Sequence, residues 1–315
     1  MVLAPRVERL RLWVYEADLA ERMRSRREND LYLPGIVIPA GVEIVTELRD
    51  ALEEAELVVG AMPSQVAREL YRRMRAYLRP DMAFLSATKG LEDGTLLRIS
   101  QVIEQVLGEP FAPRIAVLSG PSFAQEVARG HPTALVVAAR DQELAARIQV
   151  GFSGPSLRLY RSSDLVGVEL GGALKNVIAL GAGICQGLGL GSNTIASLVT
   201  RGLAEIARLA TAMGARPATL AGLAGLGDLV LTCTGELSRN RWVGIQLGRG
   251  RELGEVIASM RMVAEGVNTC RAAVELGRRY GVELPICQQV YRIIYEGWLV
   301  RQAIQELMER SLKEE

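Results

Sequence analysis

Short, mostly apolar runs alternate with helical patterns through the first 160 residues and then stop. Residues 10–15 (LRLWVY), 42–45, 57–62 (LVVGAM), 82–87, 115–118, 134–139 and 157–160 have the length and apolar character of buried strands. Helical patterns fall between them at 18–28, capped by Asp18, at 46–54, after Pro63 with Ser64 as opener, and at 95–107. Tyr32-Leu-Pro-Gly reads as a turn. Apolar strands alternating with helices predict a parallel sheet with both faces covered. From residue 165 onward only helical periodicity and glycine turns remain. The expected chain is α/β and then all-α, with domains 1–164 and 165–315 and a boundary within 161–166.

The most unusual helical stretch is 167–183, GVELGGALKNVIALGAG, whose one cation is Lys175. Small residues let backbone or ligand come close. A lysine desolvated there loses its preference for the ammonium form and becomes a base near neutral pH. Asn176 beside it offers a donor and acceptors. A buried helix whose lysine reaches for the surface accounts for the same residues. Gly181, Gly183 and Gly187 imitate a dinucleotide loop, but the third glycine comes one residue late. The residues about 20 further on, Gly202 to Glu205, are helical in pattern, so the stretch reads as a tightly packed helix.

Charge and cysteine usage exclude several classes. The net charge of +1 over 315 residues gives no general pull toward nucleic acid or anionic membrane. The basic run from Arg22 to Arg27 is flanked by Glu21 and Glu28 and reads as a solvated helix face. Four widely spaced cysteines and one histidine, His131, argue against a zinc site or a disulfide framework and for a reducing, cytoplasmic compartment. No signal peptide is visible after Met1, and no window of 18 uncharged apolar residues predicts a membrane span.

Polar residues gather at three strand tips: Pro63-Ser64, Thr88-Lys89-Gly90 and Ser119-Gly120-Pro121-Ser122. Ligands bind beyond the carboxyl ends of strands in open α/β sheets, although turn chemistry alone accounts for Pro63-Ser64. In the helical part, Gly225-Leu-Gly227-Asp228 and Ser238-Arg239-Asn240-Arg241 stand out. Asp228 is a candidate helix cap and Arg241 a candidate solvated residue. Ser-Arg-Asn suits a phosphate, since guanidinium and helix N-terminal N–H groups both donate to its oxygens.

Five motifs then occur in order: SATKG at 86–90, LSGPSFAQEVA at 118–128, VELGGALKNV at 168–177, GLAGLGDLVLTCTGELSRNR at 222–241 and MVAEGV at 262–267. Together they resemble the bacterial-type NAD(P)-dependent glycerol-3-phosphate dehydrogenase family over essentially the whole chain. The resemblance implies a Rossmann-like dinucleotide-binding domain, a helical substrate domain, and NAD or NADP as cofactor. It implies Lys175 as the general base and Lys89 as a residue shared between cofactor and substrate. Gly120, Ser122 and Asp228 become substrate contacts, with Ser238, Arg239 and Asn240 as the phosphate group. Ala124, Val263, Glu265 and again Arg239 become cofactor contacts. The partner implied is a small-molecule substrate used for phospholipid synthesis, and a homodimer stays open.

The family opens with a strand, a G-x-G-x-x-[GA] loop and a helix, and nine residues without glycine precede Leu10 here. The expected sheet therefore lacks its first βα unit, either through a start at an internal Met or as a remnant without catalysis. A related 3-hydroxyacid dehydrogenase is the alternative enzyme reading. Its G-x-x-x-K-x-x-N pattern is met by Gly171 and Lys175, but Ile178 stands where Asn is required. Glu16, at the end of the first strand, suits a ribose hydroxyl or is simply an exposed strand-end carboxylate.

Overall fold

The computed structural model describes residues 1–312 and 314. The chain forms two compact units, Met1–Thr88 with Ile99–Leu165, and Lys89–Arg98 with Val166–Glu315.

In the α/β unit, β1 (Leu10–Trp13) is followed by α1 (Ala17–Arg26), β2 (Glu28–Asn29), β3 (Leu33–Val37), β4 (Val42–Val45), α2 (Leu48–Leu52) and β5 (Leu57–Gly60). A 3₁₀ turn at Ser64–Val66 leads into α3 (Ala67–Met74), then β6 (Ala83–Ser86), α4 (Ile99–Leu107) and β7 (Ile115–Ser119). The unit closes with α5 (Ala124–Ala128), β8 (Thr133–Ala139), α6 (Gln142–Phe152) and β9 (Leu157–Ser162). β5 to β9 form one sheet in sequence order. Its core face joins Ala83, Leu85, Ala116 and Val137 to Leu144, Ile148 and Phe152 of α6.

The expected parallel sheet is corrected at one step: β7 and β8 are antiparallel, while β5–β6, β6–β7 and β8–β9 are parallel. A buried strand reads the same in either direction. The direction is set by the connection, where Gly120 and Gly130, at φ 132° and 78°, turn the chain on either side of the short α5. Tyr32-Leu-Pro-Gly is also more than a turn. Asn29 Oδ1 accepts from the Tyr32 N–H at 2.9 Å, and β3 returns antiparallel to β2. Asp18 does not cap α1. It sits in the first turn and pairs with Arg22 at 3.0 Å, while Glu16 holds the N-cap position. The arginine run is not wholly solvated, because Arg24 donates to the Ile44 carbonyl and Arg27 to that of Val42.

β1 pairs in parallel with β4 as a separate two-stranded sheet. Among the described residues, neither β1 nor β5 has a partner on its other edge. In a doubly wound sheet the first strand lies between the second and the fourth. By that order such a strand would pair with β1 on one side and β5 on the other.

The helical unit is built around α7 (Leu165–Gly187). Around it follow α8 (Ser192–Ala212), α9 (Pro217–Leu220), a π-turn at Leu223–Gly227, α10 (Asp228–Thr234) and α11 (Arg239–Gly248). α12 (Leu253–Ala258), α13 (Glu265–Tyr280), α14 (Pro285–Tyr295) and α15 (Val300–Met308) complete it. One core runs through these helices, with Leu170, Leu174, Val177 and Ile178 of α7 fully enclosed. Leu165–Gly187 and Pro217–Thr234 are, by length and composition alone, apolar enough to cross a membrane, but the first carries Glu169 and Lys175 and the second Asp228, so neither is an uncharged window. The first has a mean hydropathy of 1.4 despite Glu169 and Lys175, and 83% of that window is buried in the core.

The glycines of α7 are explained by α11. A Cβ on Gly244 would lie 2.9 Å from the Gly183 Cα, and one on Gly248 would lie 3.0 Å from the Gly187 Cα. The two backbones touch where side chains would separate them. Gly244→Ala gains about 1 kcal/mol of helix propensity but forces the helices apart. The expected net loss is about 1–3 kcal/mol, read as a lower denaturant midpoint in urea. An unchanged midpoint would mean that this contact is slack.

Candidate active site

α7 brings Lys175 into the helical core, where it is 6% exposed. The turn Leu223–Gly227 delivers its partner. The Gly227 N–H reaches back five residues to the Gly222 carbonyl at 3.1 Å, and the Leu220 backbone leaves no room for a Cβ on Gly225. This wide turn sets Asp228 at the head of α10, 1% exposed. Asp228 is therefore not the cap of α10, whose N-cap is Gly227.

Lys175 Nζ donates to Asp228 Oδ1, while Lys89 Nζ donates to Asp228 Oδ2 at 2.7 Å. Lys175 also donates to Thr232 Oγ1 at 2.8 Å, and that hydroxyl donates to the Asp228 carbonyl at 2.6 Å. Burial lowers the Lys175 pKa to about 7, the Lys89 ammonium pushes it the same way, and Asp228 opposes both. The result is an amine that carries or releases a proton near neutrality, held in place by hydrogen bonds.

A second network lies beside it. Asn240 Nδ2 donates to Asn176 Oδ1 at 2.9 Å, and Asn240 Oδ1 accepts from the Gly266 N–H at 2.9 Å. Asn240 thus ties α7, α11 and the start of α13 together. Ser238 caps α11 by accepting from the Arg241 N–H at 3.2 Å. Arg241 is not solvated throughout, since it donates to the Gly235 carbonyl. Arg239 opens α11 on an exposed position, and the Glu265 charge counters the desolvation that lowers its pKa. Glu265 opens α13, and Val263 precedes it, 44% exposed. The structure thus joins Lys89, Lys175 and Asp228 directly, and sets Asn240 in a network with Asn176.

Gly120, Ser122 and Ala124 lie in the α/β unit at the carboxyl end of β7. Ser122 Oγ donates to the Gly120 carbonyl at 3.1 Å, and Ala124 opens α5. Gly60 and Ser86 end β5 and β6 side by side. Buried hydroxyls of Ser86 and Ser119, at the ends of β6 and β7, have no hydrogen-bond partner among the described residues. Unspent polar groups at this edge fit a dinucleotide, which carries ribose hydroxyls and a carboxamide. The hydroxyl of Tyr32 donates to Glu16 Oε1 at 2.8 Å, so one oxygen of that carboxylate is already engaged.

A family model described as NAD-dependent glycerol-3-phosphate dehydrogenase N-terminus matches residues 1–145, and its C-terminus counterpart matches residues 164–305. Glycerol-3-phosphate dehydrogenase [NAD(P)+] of Koribacter versatilis is 55% identical over 302 residues, 96% of this chain and 90% of that protein. The chain belongs to the NAD-dependent glycerol-3-phosphate dehydrogenase family. The glycerol-3-phosphate dehydrogenase [NAD(P)+] of Myxococcus xanthus is 50% identical over 314 residues, covering 100% of this chain and 94% of the relative. The crystal structure of glycerol-3-phosphate dehydrogenase from Coxiella burnetii superposes with a TM-score of 0.93 at 37% identity, over 98% of this chain and 94% of that one. Membership in the glycerol-3-phosphate dehydrogenase family supports the first enzyme reading over the 3-hydroxyacid one. No motif in the sequence marks Thr232 as a partner of Lys175. Its one signal was its place four residues after Asp228, on the same face of α10.

Proposed function

We propose that this protein catalyses reversible hydride transfer between sn-glycerol 3-phosphate and NAD(P)+, giving dihydroxyacetone phosphate. The observation that carries the reading is the buried Lys175, paired with Asp228 and poised near pH 7. In the oxidative direction Lys175 takes the proton of the substrate hydroxyl, and in the reductive direction it returns it. The bound nicotinamide supplies the hydride acceptor. Asp228 and Thr232 orient the Lys175 amine, and Asp228 balances the two ammonium charges. Residues 1–164 act as the dinucleotide-binding domain and 165–315 as the substrate domain.

Lys89, Gly120, Ser122, Lys175, Asp228, Ser238, Arg239 and Asn240 are the proposed substrate contacts. Lys89, Ala124, Arg239, Val263 and Glu265 are the proposed cofactor contacts. The cytoplasm is the proposed compartment and phospholipid synthesis the proposed use of the product. The test is NAD(P)H oxidation by the purified protein, with dihydroxyacetone phosphate and with 3-oxoacids as substrates. Turnover with dihydroxyacetone phosphate supports the reading, and turnover with 3-oxoacids alone overturns it.

Arg239→Ala separates the phosphate role from a scaffold role. A hydrogen bond to a charged group contributes about 1.5–3 kcal/mol, so KM for glycerol 3-phosphate should rise roughly tenfold to a hundredfold. Any turnover of unphosphorylated glycerol should change little. Equal losses on both substrates would rule out a phosphate contact.

A further inference from the structure

Residues Lys89–Arg98 cluster with the helical unit although the chain on both sides belongs to the α/β unit. Sequence periodicity runs the following helix from residue 95, yet α4 begins only at Ile99. The excursion is a closed hairpin. Leu91 bridges to Arg98 in antiparallel fashion, the Glu92 N–H donates to the Leu97 carbonyl at 3.0 Å, and Thr95 Oγ1 donates to Glu92 Oε2 at 2.5 Å. Leu91 and Leu96 are buried in the same core as Leu170 and Leu174 of α7. Leu96 holds φ at 62°, a left-handed conformation that a leucine adopts only when its surroundings impose it.

The hairpin has two charged ends. Lys89 rests on Asp228, and the Arg98 guanidinium pairs with the Glu169 carboxylate of α7. The Arg98 and Glu169 side chains are 10% and 7% exposed, so little solvent screens them. Glu169 and Lys175 share one helix, six residues apart. Lys89, by contrast, is a flexible side chain that is 23% exposed. A fixed anchor on α7 converts that flexible ammonium into one with a defined position.

We infer that Arg98 and Glu169 are positioning residues that pin the Lys89–Arg98 hairpin to α7 and so set where the Lys89 ammonium stands against Asp228 and Lys175. The inference rests on the reading of Lys175 as the base. Among the described residues, the charged and titratable groups that act on or are acted on by Lys175 include Lys89 from the hairpin and Asp228 and Cys233 from α10. Lys89 disfavours the protonated form of Lys175 and Asp228 favours it. A Lys89 that drifts away therefore lets the Lys175 pKa rise.

The experiment is the pH profile of kcat/KM for glycerol 3-phosphate oxidation in the full chain, with circular dichroism and thermal melts alongside. Lys89→Met, Arg98→Met and Glu169→Gln should each move the acid-side inflection to higher pH. The expected shift is roughly half a unit to one unit, the low end of what one neighbouring charge does. In a Lys89→Met background, Arg98→Met should add no further shift, because its effect passes through Lys89. Arg98→Lys should restore much of the parent profile. Should Arg98→Met not fold, Glu169→Gln, which keeps the shape and removes the charge, carries the same measurement. A shift with Lys89→Met but none with the folded Arg98 or Glu169 variants overturns the positioning role alone. No shift with Lys89→Met also overturns it, whereas a pH limb retained in Lys175→Ala would overturn the base assignment beneath it. A lower melting temperature with an unmoved inflection marks the pair as structural only and also overturns it.

Discussion

Lys175→Ala is expected to lower turnover about 10²–10⁴-fold, the usual cost of losing a general base. The geometry gives the reason. The amine is buried and fixed by Asp228 and Thr232, and burial with Lys89 nearby brings its pKa to about 7. The sign follows from this lowered value. Oxidation needs the neutral amine, which accumulates above pH 7, so kcat/KM for glycerol 3-phosphate should rise through that pH and then level. In Lys175→Ala this limb should vanish, because the amine that gives rise to it is gone. Asp228 keeps Lys89 as a partner, so the variant should still fold. Steady-state kinetics from pH 6 to 9 test both parts. Near-parental turnover, or a retained limb, would move the base to another residue.

The second large effect concerns cofactor affinity. Residues 1–315 preceded by a strand, glycine loop and helix should bind NAD(H) or NADP(H) far more tightly than residues 1–315 alone. Among the described residues, β1 and β5 each present an unpaired edge, and a strand laid between them would join the two sheets into one. A glycine loop at the end of that strand would bring backbone N–H groups and a helix N-terminus to the pyrophosphate. Two such charge-assisted bonds contribute about 3 kcal/mol or more, which is on the order of a hundredfold in Kd. Titration calorimetry of both versions, with thermal melts, measures this. Equal Kd values would mean that the pyrophosphate is held by some other part of the chain.

The α/β-then-helical order was legible because strand and helix periods differ and the switch falls near residue 165. The direction of β8 was not, since it depends on how Gly120 and Gly130 turn the chain rather than on the strand itself. Lys175 stood out as one cation in an apolar run. Its pairing with Asp228, 53 residues away, exists only once α7 and α10 pack. The glycines at 183 and 187 imitated a cofactor loop because both uses require an absent side chain. Here the neighbour is a second helix, not a phosphate. Asn240, expected at the phosphate, already spends its carbonyl oxygen on the Gly266 N–H and one amide hydrogen on Asn176.

The Lys89–Arg98 hairpin also bears on how such a gene can be rearranged. The chain changes unit after Thr88, after Arg98 and after Leu165. No single cut in the gene separates one unit from the other. A recombination that exchanged residues 166–315 as a block would leave Lys89 behind and strip Leu91 and Leu96 of their apolar neighbours. The helical half is inherited with a short piece encoded in the middle of the sheet. A contiguous exchange of the helical half therefore keeps its core intact only if the incoming block also fits the Lys89–Arg98 hairpin.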